Sequence, residues 1–508
     1  MQPSSMAETA SAYSSSTRLL VFVGLILTMV MGALDQSIVS TALPAIISDF
    51  GGLAHMSWVV TAFMLTSTIA TPIYGKLSDM FGRRPLLAFS IGSFLCASLL
   101  CGLAQNIWQL ILFRGLQGVG AGGLMTLSQT VIGDMVPPQQ RGRYQGLFTG
   151  AFAVSSVTGP FLGGVLTSVL SWRWVFLVNL PIGLLAFGLI MLSLPVGQRE
   201  TRPQIDYPGA ALLSVATAGF LLLFNALGTS LPWTSPLTFL LLGLTMTLFV
   251  LFIRQERRAL EPLINLDLLR IPTFSVCVTA TGIMSFAMMG SMIFLPLYYQ
   301  LVLGETPAAS GLMMLPQVGT MMISSVLGGY VSSKTQRYAL LLAIGVGIEF
   351  TALTLIAVCA HHGMPALFFL LSLGCLGFGM GIGMPNATVM MQNAVPPGSL
   401  GIATAMMSFI RSLGGSLGVA LSGGVMALTL QTRLQALPEK IDVPAFLEKG
   451  MAAIRTLSPA THSEVTRAYK GAISASMSVS SSFMFLALLL IVGLMLSQVP
   501  TRNKMESE

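Results

Sequence analysis

"GKLSDMFGRRP", residues 75–85, sets four charges (Lys76, Asp79, Arg83 and Arg84) and two glycines into eleven residues. The chain on either side is free of charge: "WVVTAFMLTSTIATPIY" at 58–74 and "LLAFSIGSFLCASLLCGLA" at 86–104. A short charged link between two such runs is the pattern of a tight turn at a membrane surface. Runs of about 20 apolar residues cross the roughly 30 Å hydrocarbon layer as helices. Because each backbone group in lipid must be paired within its own segment, a helical bundle is the architecture that follows.

The whole composition agrees. Charged residues are 8% and hydrophobic residues 54% of the chain, where soluble domains carry about 25% charge. Mean hydropathy is +0.81. The net charge of +7 suits the Lys/Arg excess of inner loops better than a nucleic-acid surface, so no nucleic-acid partner is expected. The five cysteines, Cys96, Cys101, Cys277, Cys359 and Cys375, all lie in apolar stretches without metal-ligand spacing, which predicts packing thiols and no metal site. Residues 1–17 are polar and lack the charged start of a cleaved signal, so the first apolar helix is expected to act as the signal and remain.

About fourteen spans are legible, near 19–46, 56–75, 85–105, 108–135, 141–168, 173–194, 207–228, 235–254, 272–301, 308–332, 338–360, 364–394, 400–428 and 471–497. With the N-terminus placed in the cytoplasm, sixteen Lys or Arg fall on the cytoplasmic side and one, Arg173, on the other, with six more in the long outer segment 429–470. That asymmetry predicts both termini and residues 75–85 to be cytoplasmic. The expected setting is a plasma membrane, the cell or inner membrane of a bacterium, with membrane lipids as neighbours.

A repeat organises the spans. "GKLSDMFGRR" (75–84) aligns with "GYVSSKTQRY" (329–338), matching Gly75 to Gly329, Ser78 to Ser332 and Arg83 to Arg337, and "PPQQRGRYQGLFTGAFAVSSVTGPFLGG" from Pro137 aligns with the stretch from Pro396. The layout is therefore a 1–18 tail, a six-helix half (19–194), two inserted spans with linkers (195–271), a second six-helix half (272–497, including loop 429–470) and a 498–508 tail. Two pseudo-equivalent halves around a central site is the plan of many secondary transporters. In that plan Gly75 and Gly82 permit the tight turn. Asp79 can pair with Arg83 and meet the end of a neighbouring helix, forming a latch that holds one arrangement of the halves.

These residues resemble the major facilitator superfamily, whose loop pattern G-x-L-S-D-x-x-G-R-R matches Gly75 to Arg84. The resemblance implies a partner acid at the end of the fourth helix, and "VIGDMVPP" supplies Asp134. The second copy has Ser333 in place of Asp79, so its latch is expected to be weak. Three further stretches resemble the fourteen-helix drug:proton antiporters within that superfamily: "LDQSIVSTALP" (34–44), "RGLQGVGAG" (114–122) and "GPFLGG" (159–164), while "WRWVFLVNLPIG" (172–183) also fits. The resemblance implies a proton-coupled exporter. "GPFLGG" reads as a hinge: Gly159, Gly163 and Gly164 allow close packing and Pro160 removes a helical hydrogen bond. The second half has Val419 where Pro160 stands.

Four charges lie deep in predicted spans: Asp35, Arg114, Glu349 and Arg411, the last about 16 Å into its span at 1.5 Å per residue. Such groups cost about 2.5–3.5 kcal/mol on insertion scales and normally face a cavity or a partner. They can be structural pairs, Glu349 with Arg411 among them. Alternatively they couple protons: an acid that meets a changing cation through a cycle can load and release one. Asp35 is the leading proton and substrate carboxylate, with Arg114 as its modulator, as the resemblance also implies. Glu349, facing the central cavity, would favour cationic cargo. Gln36, Gln117 and the Met284, Met288, Met292 stripe are weaker candidates for cavity lining, the methionines because thioethers suit varied apolar ligands; packing is the other reading of the stripe. Tyr298 and Tyr299 read as an interfacial belt. His361 and His362 read as exposed outer residues. "PAFLEKGMAAIRTL" (444–457) suggests an amphipathic surface helix and a place for a periplasmic partner.

No Walker A, GxSxG or HExxH pattern occurs, so neither an enzyme nor a cofactor beyond the proton gradient is expected. The reading is an antiporter exporting lipophilic, often cationic, compounds. The alternatives are an exporter of one metabolite (an amino acid, siderophore or lipid-like product) and, in a different class, a non-transporting receptor or scaffold.

Overall fold

Fourteen helices long and apolar enough to cross a bilayer build the computed structural model, which describes residues 15–50, 56–195, 206–227, 231–232, 235–435 and 459–505. They are α1 (Ser15–Phe50), α2 (Met56–Phe81), α3 (Arg83–Gly102), α4 (Ile107–Met135), α5 (Arg141–Val169), α6 (Asn179–Ser193), α7 (Tyr207–Ala226), α8 (Pro236–Glu256), α9 (Pro272–Leu301), α10 (Leu315–Thr335), α11 (Tyr338–His362), α12 (Ala366–Ala394), α13 (Leu400–Gln435) and α14 (Pro459–Met505). One-turn helices at Trp174–Leu177 and Pro307–Leu312 lead into α6 and α10. The expected all-helical facilitator plan of six, two and six spans is present. α14 begins before the predicted 471, and the 444–457 stretch lies outside the described residues.

Local chemistry sets the ends. Asn106, Asp206 and Ser235 accept backbone N–H groups at the starts of α4, α7 and α8, satisfying donors that helix starts leave free. Gly82, at φ 90°, breaks α2 from α3. The repeat carries this turn into the second half, where Gln336 takes φ 56° between α10 and α11. It is the one non-glycine with positive φ among the described residues. A residue with a Cβ rarely adopts that conformation, and the repeat alignment hides it because glycine is replaced.

In the first half α4 packs between α2 and α3, and α1 packs on α5 and α6; in the second α12 packs between α10 and α11, and α9 on α13 and α14. Each half keeps its own apolar core, with Phe94, Leu124 and Leu127 central to one and Leu353, Phe369 and Met380 to the other. The halves meet chiefly along α5–α10 and α2–α13. α8 packs against α7, and α7 against both α2 and α13. Tyr298 and Tyr299 are wholly buried around Phe369, which corrects the interfacial reading: α9 turns them into the core of its half.

Candidate functional site

The 75–84 turn clasps the opposite half. Gly75 lies so close to Gly401 and Ala405 on α13 that a Cβ there would collide with both. This contact brings the start of α13 under Asp79, whose carboxylate accepts the backbone N–H of Gly401 at 3.1 Å and of Ile402 at 2.9 Å. An anion at a helix N-terminus satisfies free donors and the positive end of the dipole, typically for about 0.3–1 kcal/mol and up to about 2 when partly buried. Arg83 steadies Asp79 at 2.5 Å, reaches Asp134 on α4 at 2.8 Å and donates to Ser78 at 2.6 Å. The residues expected to form the latch are thus assembled, with the exception of Arg84. Its guanidinium donates to the Met191 carbonyl at 2.5 Å, tying α3 to the end of α6.

The second copy forms a neutral counterpart. Gly329 on α10 meets Gly142 and Gly146 on α5 as closely as Gly75 meets α13. The Gln336 amide donates to the Gln139 carbonyl at 3.0 Å, and Tyr338 donates to the Pro138 carbonyl at 3.2 Å. Arg141, which the sequence offered only as a loop charge, is a clamp. It donates to Gly133 at the end of α4 at 2.5 Å and to Asn393 at the end of α12 at 2.7 Å. Gln392 donates to the Gln129 carbonyl nearby at 3.2 Å. Apart from the Arg141–Gly133 bond, which stays within the first half, these hydrogen bonds join the halves at the end of the bundle that carries the 75–84 turn.

Asp35 and Arg114 meet at 2.6 Å with essentially no exposure of either side chain. Asp35 Oδ1 also accepts from Gln117 at 2.9 Å and Asn179 at 2.8 Å, and both amides reach Ser98. Arg114 donates to Gln117 and to the Val59 carbonyl, with its guanidinium 4.0 Å from the centre of the Phe63 ring. Five helices of one half therefore converge on one carboxylate. A buried ion pair persists in lipid when its remaining lone pairs and protons are satisfied in this way.

The Major Facilitator Superfamily profile matches residues 25–419. The chain belongs to this superfamily. Among its relatives is "Multidrug transporter protein MdtP" of Bacillus subtilis, 36% identical over 416 residues, covering 81% of this chain and 76% of that protein. "Multidrug resistance protein 3" of the same organism is 33% identical over 433 residues (84% and 83%). The "MFS-type efflux pump LUC4" of a Fusarium species is 30% identical over 516 residues (96% and 89%). Solved folds agree: a human organic anion transporter, MFSD10, superposes with a TM-score of 0.60 at 15% identity, covering 93% of this chain and 98% of that one. The chain is thus a multi-pass membrane protein of the facilitator superfamily and an efflux-type transporter.

The facilitator scaffold explains where the other candidates fall. Gly159 and Gly163 press against Ser37 and Thr41 of α1, whereas Gly164 faces open space. Pro160 sits between them within α5. Gln36 is exposed beside the buried Asp35. Gln117 does not line an opening, because its amide is consumed by the Asp35 network. Met284 and Met288 are buried in the second half, and only Met292 of that stripe is substantially exposed, at 37%.

Glu349 is also enclosed and does not face the gap between the halves. Its side chain lies against Gly379 and Gly383 of α12 and near Met284, and neither carboxylate oxygen has a hydrogen-bond partner among the described residues. Arg411 is half-buried on α13 and makes no ion pair or hydrogen bond among the described residues. Gly415, one turn on, abuts Ser285 and Met289 of α9. The structure therefore does not join Glu349 to Arg411: one is turned into a half's core, the other stands at the α9–α13 face.

Proposed function

We propose that this facilitator is a proton-coupled antiporter that exports lipophilic compounds by alternating access, with the latch end and both termini in the cytoplasm of a bacterial cell. One observation carries the coupling: Asp35 Oδ2 is held by Arg114 at 2.6 Å inside a single half, with no exposure. A proton on that oxygen and the guanidinium donor compete for the same site. Loading a proton frees Arg114, and restoring the pair ejects the proton. The names of the bacterial relatives support drug-like cargo. A cationic preference would be expressed when cargo, entering beside Gln36, takes the place of Arg114 at the ionised Asp35.

The test is uphill efflux of a lipophilic dye from vesicles with an imposed pH difference. Asp35→Asn should abolish accumulation against the gradient while leaving dye binding. Concentration of dye by that variant would remove Asp35 from the mechanism. A second reading, favoured by unpaired Arg411, is that the cargo carries negative charge. It keeps the same cycle and reverses the preferred dye.

A further inference from the structure

At the end of the bundle away from the 75–84 turn, five basic side chains converge on one hollow of about 390 Å³: His361 and His362 from the last turn of α11, Arg433 from α13, and Arg467 and Lys470 from α14. Among the described residues no Asp or Glu lines it. Among the described residues none of the five makes an ion pair or hydrogen bond, although Glu464 lies only three residues before Arg467. Cations gathered without counter-charge repel one another unless an anion joins them.

The hollow is built, not an accident of loose side chains. Its lining residues on α13 and α14 alternate with the buried apolar cluster of Leu430, Leu434, Val465, Ala468, Tyr469 and Ala472, which packs the two helices together. Two glycines give the cations room. The Arg433 guanidinium lies directly on Gly471, where any Cβ would collide with it, and Lys470 lies across Gly363, the left-handed residue (φ 64°) that ends α11. Guanidinium forks together with an ammonium and two imidazoles match the several acceptor oxygens of a phosphate group. His361, His362 and Arg433 stand in the last turns of helices long and apolar enough to cross a bilayer, a position that corresponds to the headgroup layer.

We propose that this hollow is a phosphate-binding site, taking the phosphodiester of an anionic lipid headgroup or a free phosphate anion. The full chain, held in nanodiscs of phosphatidylcholine, is titrated separately with phosphatidylglycerol and with inorganic phosphate, and bound ligand is read by native mass spectrometry and by the shift in melting temperature. Binding of phosphatidylglycerol that weakens about tenfold or more in Arg433→Gln/Arg467→Gln assigns the lipid headgroup. The same loss for inorganic phosphate assigns the free anion. Retention unchanged in that variant, or equal stabilisation by chloride at matched ionic strength, overturns the proposal. Because Arg433 packs on Gly471 and its loss can disturb folding, Arg467→Gln and His361→Gln/His362→Gln serve as separate variants, each expected to weaken binding while retaining dye transport.

Discussion

The carboxylate of Asp79 accepts the backbone N–H of Ile402 at 2.9 Å across the seam between the two halves. The donor belongs to a helix terminus, so the bond cannot follow a side chain when the halves part. It breaks within an ångström or two of separation, which is the behaviour required of a catch.

Replacing Asp79 by Asn keeps its size and removes the charge that the start of α13 attracts. Transport should slow about threefold to thirtyfold, the span corresponding to a loss of about 0.7–2 kcal/mol, while dye affinity stays nearly unchanged. Parallel measurements of efflux rate and binding decide it, and an equal fall in affinity would place Asp79 at the cargo site.

Steric closeness at the same seam gives a second expectation. A side chain at Gly401 would strike the Asp79 carboxylate and Arg83. Gly401→Val should therefore hold the latch end apart. Spin labels at the exposed Gln140 and Lys334 should report a longer distance in this variant than in the parent; identical distributions would show that the seam absorbs the added methyls.

The buried pair offers a stability measurement independent of transport. Arg114→Gln strands the Asp35 carboxylate and should cost about 3–5 kcal/mol. The double variant Asp35→Asn/Arg114→Gln removes both charges and should recover most of the lost thermal stability. Additive losses would mean that each residue is held by separate interactions.

Glu349 and Arg411 are expected to behave independently. With no contact between them, the effects of Glu349→Gln and Arg411→Gln on folded yield and melting should add within about 0.5 kcal/mol. A larger coupling would reveal a conformation in which they meet.

Cargo charge is settled with two dyes of opposite sign. Arg411→Gln should reduce efflux of the anionic dye at least several-fold more than that of the cationic dye if Arg411 contacts cargo. Equal transport of both dyes in variant and parent would leave the cationic reading through Asp35 standing alone.

The helical plan and the repeat were legible because lipid leaves the backbone few choices and because a charged turn between apolar runs is conspicuous. Asp79, Arg83, Asp134, Asp35 and Arg114 were legible for a related reason: charge in an apolar chain demands a partner. What stayed hidden depends on helix rotation. Gln117 and Gln36 are both polar residues in apolar helices, yet one is spent on Asp35 and the other is exposed. Met284 and Met292 share a stripe, but α9 sinks one end of it. Arg141 looked like any loop arginine because its acceptors, the Asn393 side chain apart, are backbone carbonyls, which leave no mark in the sequence. Gln336 escaped notice since its role is a backbone conformation normally advertised by glycine.

The position of α7 has a consequence for the faces turned to the lipid. By resting on both α2 and α13, the inserted helix roofs the α2–α13 seam between the halves, while among the described residues no inserted helix packs along the α5–α10 seam. Toward the bilayer the molecule thus has a front and a back: one seam between the halves is roofed by an added helix, and the other is closed only by the glycine contact of α5 with α10.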